Sequence, residues 1–132
     1  VRWFLKAAEQ GIAQAQLILG NLFREGEGVT QDYNETLRWY RKAADQGFAD
    51  AQANLGNMFR HGLGVAQDRK KAVQWYRKAA DQGNVNAQYY LGAMFYYGNF
   101  DFSRDVEKAA FFLSAAKAQG HVEAQSLLNQ CP

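Results

Sequence analysis

The sequence of 132 residues has very little cysteine or proline: it contains one of each, Cys131 and Pro132, both at its C-terminal end. A single cysteine has no partner within the chain, so an internal disulfide framework is excluded and packing must hold the fold together. Because proline occurs nowhere else, no helix is broken from within. The sequence also lacks any run of about 18 apolar residues, so we do not expect it to insert into a membrane.

A strong excess of charge is missing too. Lysine and arginine number 15 and aspartate and glutamate 13, which gives a net charge of +2. Such a small excess does not favour nucleic acid or an anionic membrane surface as the main partner. The chain begins at Val1 and not at a methionine, as an exported protein after removal of its signal or a fragment would. We expect a soluble protein and leave a cytoplasmic and an exported location both open.

What the sequence does contain is a repeat. The nonapeptide WYRKAADQG occurs twice, at 39–47 and 75–83, with starts 36 residues apart. Other residues keep a step of 36 or 37: the glycines Gly11, Gly47, Gly83 and Gly120, the Leu-Gly pairs that end in Gly20, Gly56 and Gly92, and the tryptophans Trp3, Trp39 and Trp75. A period of this length over a whole chain is typical of a solenoid of stacked structural units.

Each unit contains the pattern of two helices. The second helix of the central unit has an apolar stripe of helical period, formed by Ala72, Trp75, Tyr76, Ala79 and Ala80. Asp68 before it suits an N-cap, and Gly83 after it suits a left-handed C-terminal residue. Such signals predict eight helices along the chain, at 1–10, 13–25, 33–46, 49–61, 69–82, 85–97, 105–119 and 122–130.

The first helix of each unit has a glycine in its middle, such as Gly56 in the helix at 49–61. Glycine costs about 1 kcal/mol relative to alanine inside a helix. Since it recurs as Gly20 and Gly92, we predict that a neighbouring helix comes too close to admit a methyl group. A recurring glutamine in the same helix predicts side-chain hydrogen bonds between layers, at Gln16, Gln52, Gln88 and Gln125.

We interpret residues 1–132 as one domain, with a partial unit at 1–11, repeats at about 12–47, 48–83 and 84–120, and a partial unit at 121–132. The helices at the two ends lack the neighbour that the period supplies elsewhere, so their apolar stripes should be exposed. We therefore expect an excerpt of a longer array, or ends that another molecule covers. Self-association through the end helices is one such arrangement.

The central unit carries a known pattern: Ala51, Leu55-Gly56, Phe59, Gly62-Leu63-Gly64-Val65, Asp68, Ala72, Trp75 and Ala79-Ala80-Asp81-Gln82-Gly83. At a step of about 36 residues, this order resembles the SEL-one-like repeat (SLR) family, which is related to the tetratricopeptide repeats. The resemblance covers nearly the whole chain. The third unit departs from it at Gly98 to Asp105 and at Phe111-Phe112-Leu113, so this unit is expected to turn or twist differently.

The resemblance implies an all-α fold, a right-handed superhelix of antiparallel helix pairs whose first helices line a concave surface. In the family this surface holds other proteins or peptides, and most members are bacterial adaptors. The function expected from the resemblance is therefore a protein-protein interaction scaffold that is not an enzyme and has no cofactor. The alternative is a module that binds or hydrolyses cell-wall peptides or β-lactams, since some cysteine-rich bacterial members are linked to penicillin binding. Those members carry paired cysteines in each unit, and this sequence has only Cys131.

Helix geometry locates the surface that a partner would contact. At about 100° per residue, the arc of the helix at 49–61 opposite Ala51 and Leu55 should lie outside the core. Shifting this arc by the repeat step predicts a strip of partner-binding residues: Leu17, Asn21, Arg24, Ala53, Asn57, Arg60, Tyr89 and Tyr96. A specialised aromatic loop is a second candidate, with Tyr97, Phe100 and Phe102.

The other repeated residues are assigned structural roles: Gly20, Gly56, Gly92, Trp39, Trp75, Gly47 and Gly83. His61 and His121 lie outside any metal-binding spacing, so no metal site and no catalytic residue is predicted. Pairs such as Gly62 and Gly64 lack the lysine-serine or lysine-threonine of a phosphate-binding loop, and they are interpreted as turns.

Overall fold

The computed structural model describes residues 2–98 and 103–132, and the chain over those ranges is built from helices, without a strand. The helices are α1 (Arg2–Glu9), α2 (Ala13–Glu25), α3 (Tyr33–Asp45), α4 (Ala49–His61), α5 (Arg69–Asp81), α6 (Val85–Tyr97), α7 (Val106–Ala118) and α8 (Val122–Leu128). The predicted all-α fold of eight helices is confirmed, and each predicted helix end lies within two residues of the observed one.

The start and end of each helix follow from repeated local signals. The second helices α3, α5 and α7 begin after Asp32, Asp68 and Asp105, whose carboxylates accept hydrogen bonds from backbone N–H groups of the first turn. The first helices α2 and α4 end at Gly26 and Gly62, which adopt left-handed φ angles of 72° and 69°. Because each unit carries its own signals, the same helix pair forms again at each step.

The helices form a solenoid of pairs. Each packs mainly against the helices before and after it in sequence, most closely in the pairs α2 with α3, α4 with α5, and α6 with α7. Contacts of α3 with α4 and of α5 with α6 join one pair to the next. None of the helices in the described ranges is long and apolar enough to span a membrane.

The core runs through the whole stack, and one repeat position illustrates it. Trp39, Trp75 and Phe112 occupy this position in successive units, and all three are buried. Trp3 has the same position in α1, yet it is 72% exposed, and Val122 of α8 is also exposed. The predicted exposure of an apolar stripe is therefore present on α1, whereas on α8 Ala124 and Leu127 are buried.

The mid-helix glycines lie where two helices of a pair touch. A β-carbon added to Gly20 would lie 2.6 Å from Cδ1 of Tyr40, and one added to Gly92 would lie 2.7 Å from Cγ of Leu113. Atoms in real structures do not approach a β-carbon so closely, so neither position has room for a side chain. The predicted close approach of a neighbouring helix is confirmed.

The recurring glutamines connect successive helices, as predicted. Nε2 of Gln52 in α4 donates to the backbone carbonyl of Ala44 in α3, at 3.2 Å. Its Oε1 accepts from Nε2 of Gln82 at the end of α5, at 2.8 Å. Gln16 and Gln88 make the equivalent pairs of bonds in their own units. Gln125 departs from the pattern, because its Nε2 donates to Asn129 of its own segment.

Candidate functional site

The predicted partner-binding strip is placed in α2, α4 and α6. Six of its residues are half-buried: Asn21, Arg24, Asn57, Arg60, Tyr89 and Tyr96. Leu17 and Ala53 are instead buried, with 8% and 6% of their surface exposed, and both belong to the hydrophobic core. The prediction that this arc lies outside the core is therefore wrong for Leu17 and Ala53.

The error arises because α4 is enclosed on two sides. It packs against α5 of its own pair and against α3 of the preceding pair. Its buried residues therefore cover more than half of its circumference: Ala51, Gln52, Ala53, Leu55, Gly56, Met58 and Phe59. The accessible stripe is displaced around the helix from the predicted one, away from Ala53, and includes Asp50, Asn54, Asn57, Arg60 and His61.

A groove of about 350 Å³ lies over this accessible stripe. We call it the asparagine groove, and it is lined by Leu17, Asp50, Ala53, Asn54, Asn57, Asn84, Asn86 and Tyr90. The predicted residues Leu17, Ala53 and Asn57 meet here, whereas Asp50 and the other three asparagines were not predicted. The signal that locates Asp50 and Asn54 is their i, i+4, i+7 spacing with Asn57, a polar stripe of helical period on α4.

Two asparagines of the first helices are held by buried tyrosines. The hydroxyl of Tyr76 donates to Oδ1 of Asn57, and the hydroxyl of Tyr40 donates to Oδ1 of Asn21. Burial raises the pKa of Tyr40 to about 12 and also raises the pKa of Tyr76, so both hydroxyls keep their protons at neutral pH. Because each Oδ1 accepts from a tyrosine, the Nδ2 hydrogens are the groups left to bond acceptors of a ligand.

Arg60 lies beside the asparagine groove in a defined position. Its guanidinium carbon is 4.2 Å from the ring centroid of Tyr90 and 5.8 Å from that of Tyr76. Its Nη2 is 3.0 Å from Nε2 of His61, and its Nε is buried without a hydrogen-bond partner among the described residues. Burial, and then the charge of Arg60, lower the pKa of His61 below its usual value.

A second cavity, of about 400 Å³, opens next to Arg60. We call it the arginine pocket, and it is lined by Arg60, His61, Gln67, Arg69, Ala93, Met94, Tyr97 and Gly98. Tyr90, which lies against the guanidinium of Arg60, also lines the asparagine groove. A residue of the pocket therefore contacts a residue of the groove.

Two predicted tyrosines make contacts within the chain. The ring of Tyr89 stacks on His121 with a centroid distance of 4.4 Å. His121 also caps α8, because its Nδ1 accepts the N–H of Ala124 at 3.1 Å. The guanidinium carbon of Arg104 lies 4.7 Å from the ring centroid of Tyr96. Part of the Tyr89 ring is therefore used for packing against the next unit, and part of the Tyr96 ring for a contact within its own unit.

The predicted aromatic loop is described only in part. Tyr97 is 70% exposed and lines the arginine pocket, whereas Phe100 and Phe102 lie outside the described residues. Over the described ranges, no cluster of histidine, cysteine, aspartate or glutamate is suited to hold a metal ion.

A stack of helix pairs with a polar groove along its first helices has the architecture of a helical-repeat binding protein. The family model of the Sel1 repeat matches residues 1–12, 13–48, 49–84 and 85–121. The chain therefore belongs to the Sel1 repeat family, which is the SEL-one-like family that its sequence resembles. None of the curated proteins matches the chain.

Solved structures show the same fold. The chain is 36% identical to a protective antigen present in uropathogenic Escherichia coli strains that displays an SLR fold, with a TM-score of 0.91 over 96% of this chain and 27% of that one. It is 35% identical to a Sel1 repeat protein from Oxalobacter formigenes, with a TM-score of 0.90 over 98% of this chain and 52% of that one. It thus spans about a quarter and about half of their lengths. Cysteine rich protein B of Helicobacter pylori, 22% identical, shares the fold with a TM-score of 0.73 over 96% of this chain and 90% of that one.

Proposed function

We propose that this chain is a protein-interaction scaffold that holds an extended segment of another protein in the asparagine groove. Sel1 repeat proteins are generally protein-protein interaction scaffolds, so membership of the family supports the class of function. The observation that carries the finer proposal is Asn57, which lines the groove and is held by Tyr76, and its equivalent Asn21 is held in the same way by Tyr40 one repeat earlier. Their Nδ2 hydrogens are oriented by the core and are left to bond acceptors outside the chain.

Asparagine side chains can hydrogen-bond the backbone of a peptide, so they can bind peptides of different sequences. An extended peptide carries backbone N–H and C=O groups that need partners, and an amide side chain offers both a donor and an acceptor. Asn54 and Asn57 are three residues apart on α4, so their Cβ atoms are about 5–6 Å apart on one face. Two residues of an extended chain cover about 6 to 7 Å, so neighbouring asparagines can bond successive peptide groups of one edge.

Tyr90 supplies the apolar part of the surface. Its ring lines the asparagine groove and is covered on one side by the guanidinium of Arg60. Tyrosine and arginine often dominate the energy of protein interfaces, because each combines a large contact area with hydrogen bonds. We assign affinity mainly to Tyr90 and Arg60, and the alignment of the bound segment mainly to the asparagines.

The side chains that line the groove support binding and not catalysis. Asp50 is the carboxylate among them, and it accepts a hydrogen bond from Nδ2 of Asn84 at 2.9 Å. The described residues of the lining include no serine, cysteine or histidine that could act as a nucleophile beside a base. Incubation with a chromogenic β-lactam tests this assignment, and turnover by the pure protein would favour the hydrolytic alternative.

Peptide selection tests the proposed surface without a known partner. A phage-displayed library of random dodecapeptides is selected on the immobilised protein, and the affinity of the enriched peptides is measured by fluorescence polarisation. We expect the double variant Asn54→Ala, Asn86→Ala to bind them about tenfold more weakly, which corresponds to about 1.4 kcal/mol. Circular dichroism checks the folding of this variant, since Asn86 is exposed whereas Asn54 is half-buried and hydrogen-bonds Tyr40.

Gln74→Ala is the matched control, since it removes an exposed amide from α5 outside the groove. It should bind the selected peptides as the wild type does. Equal binding by the groove variant, or equal weakening by Gln74→Ala, would place the binding surface elsewhere.

A further inference from the structure

The arginine pocket carries positive charge that no carboxylate in the described part of the chain neutralises. Among the described residues, its lining contains Arg60 and Arg69 but no acidic residue. Ion pairs within the described ranges use other arginines: Arg24 with Glu25, Arg38 with Glu35, Arg41 with Asp45 and Arg77 with Asp81. Arg24 has the position of Arg60 one repeat earlier, so the unpaired charge is a property of this pocket and not of the repeat.

The side chain of Arg60 is ordered before any ligand arrives. Stacking over Tyr90 at 4.2 Å restrains the plane of the guanidinium, and Nη2 contacts Nε2 of His61 at 3.0 Å. The backbone carbonyl of Arg60 accepts from Nε2 of Gln67 at 2.7 Å, which anchors the segment that leads to Arg69. Arginine presents a planar fork of N–H donors that matches the two oxygens of a carboxylate. Since the fork is already in place, binding costs less conformational entropy.

We propose that the arginine pocket binds the carboxylate of an aspartate or glutamate side chain of the segment that lies in the asparagine groove. This inference rests on the proposed function, because it names the chemistry of that segment. Arg60 of the pocket contacts Tyr90 of the groove, so a continuous segment that crosses this contact reaches both sites. Ala93 and Met94 supply the apolar part of the pocket, against which the methylene groups of an acidic side chain pack.

The negative charge of Asp50 and the positive charge of Arg60, at opposite ends of α4, fix the orientation of the bound segment. Asp50, whose carboxylate is accessible in the groove, precedes Arg60 by ten residues on α4. A helix rises about 1.5 Å per residue, so the two positions are about 15 Å apart along the axis. An extended chain covers about 3.3 Å per residue, which makes this distance about four or five residues. A segment whose basic residue lies about four or five positions from its acidic residue can place the basic residue at Asp50 and the acidic residue at Arg60.

Selected peptides allow the pairing to be tested. Dodecapeptides enriched on the wild-type protein should share an acidic residue, and one of them is synthesised with glutamate and with glutamine at that position. Both peptides are titrated against the wild type, Arg69→Gln and Lys70→Gln. Arg69 lines the pocket and not the groove, and Lys70 is the neighbouring exposed cation that lines neither.

The wild type and Lys70→Gln should prefer the glutamate peptide by about threefold to tenfold, with a preference that falls as salt is added. Arg69→Gln should show a smaller preference, because Arg60 alone remains as the arginine of the pocket lining. Enriched peptides without a shared acidic residue, or a preference that is as large in Arg69→Gln as in the wild type, would overturn the inference and leave the proposed function standing. If no peptide is enriched at all, both proposals are overturned.

Discussion

The ring of Tyr76 lies directly against the backbone of Gly56, so that a β-carbon on Gly56 would be 2.7 Å from both Cδ1 and Cε1 of the ring. The same contact joins Tyr40 to Gly20 one repeat earlier. It allows the two helices of a pair to approach closely, and it also directs the tyrosine hydroxyl to the first helix, where it bonds Asn57. The packing of the core and the orientation of a groove side chain therefore depend on one contact.

We predict that Gly56→Ala destabilises the protein, although alanine favours a helix by about 1 kcal/mol over glycine. The added methyl group overlaps the ring of Tyr76, which is fully buried and has no free space to enter. Forcing extra volume into a packed core costs about 1 to 3 kcal/mol. Urea denaturation followed by circular dichroism should show a lower free energy of unfolding.

A second background separates steric overlap from other effects of this substitution. In a Tyr76→Ala protein the ring is absent, so Gly56→Ala should be neutral or stabilising there. If the substitution destabilises both backgrounds equally, the overlap with Tyr76 is not the cause.

This contact also shows how far the sequence predicts the fold. Repeated caps and glycines predict the eight helices, because the signals act within a few residues of the chain. Gly56 predicts a close neighbour, since only close packing offsets its helix cost. It does not identify Tyr76, which lies 20 residues further along, because that pairing depends on how the two helices cross.

The candidate site is less predictable from the sequence for a related reason. The helical period correctly predicts that Asn57 and Arg60 lie outside the core, but it wrongly predicts the same for Ala53. The spacing of the hydrophobic residues locates the centre of the arc that a helix buries. The width of this arc depends on how many neighbouring helices enclose the helix. Asn84 lines the groove from the turn before α6. A helical period does not predict the position of a residue in a turn.

The glutamine bonds give a second stability prediction. Gln52→Leu keeps the size of the side chain but removes the bonds to the carbonyl of Ala44 and to Nε2 of Gln82. The carbonyl of Ala44 still accepts from the N–H of Gly47 at 2.9 Å, and Gln82 is exposed to water, so the expected loss is that of ordinary hydrogen bonds, about 0.5 to 1.5 kcal/mol each. Gln125→Leu is the matched control, because Gln125 has the same repeat position but bonds only within its own segment. Similar losses in the two variants would show that the bonds between helices contribute little.

Alkaline pH should act through Tyr40. Burial raises its pKa from 10.0 to about 12, which means that the folded protein favours the neutral phenol. This contribution to stability is complete below about pH 10, where the unfolded chain also keeps the proton, and it is lost as the pH rises from about 10 to about 12. A phenolate absorbance titration should show a late step that is absent from Tyr40→Phe. A step for Tyr40 near its usual pKa would contradict the burial of its hydroxyl.

Two tryptophans at the same repeat position should differ in their contribution to stability. Trp75 is 9% exposed, and its ring contacts the cations of Arg41 and Lys78 at 5.3 Å and 4.6 Å from the centroid. Trp75→Ala should therefore cost about 3 to 5 kcal/mol in the free energy of unfolding. Trp3→Ala should cost less than about 0.5 kcal/mol, since Trp3 is 72% exposed. Urea denaturation of both variants measures the difference, and comparable losses would mean that α1 packs against a further surface in solution.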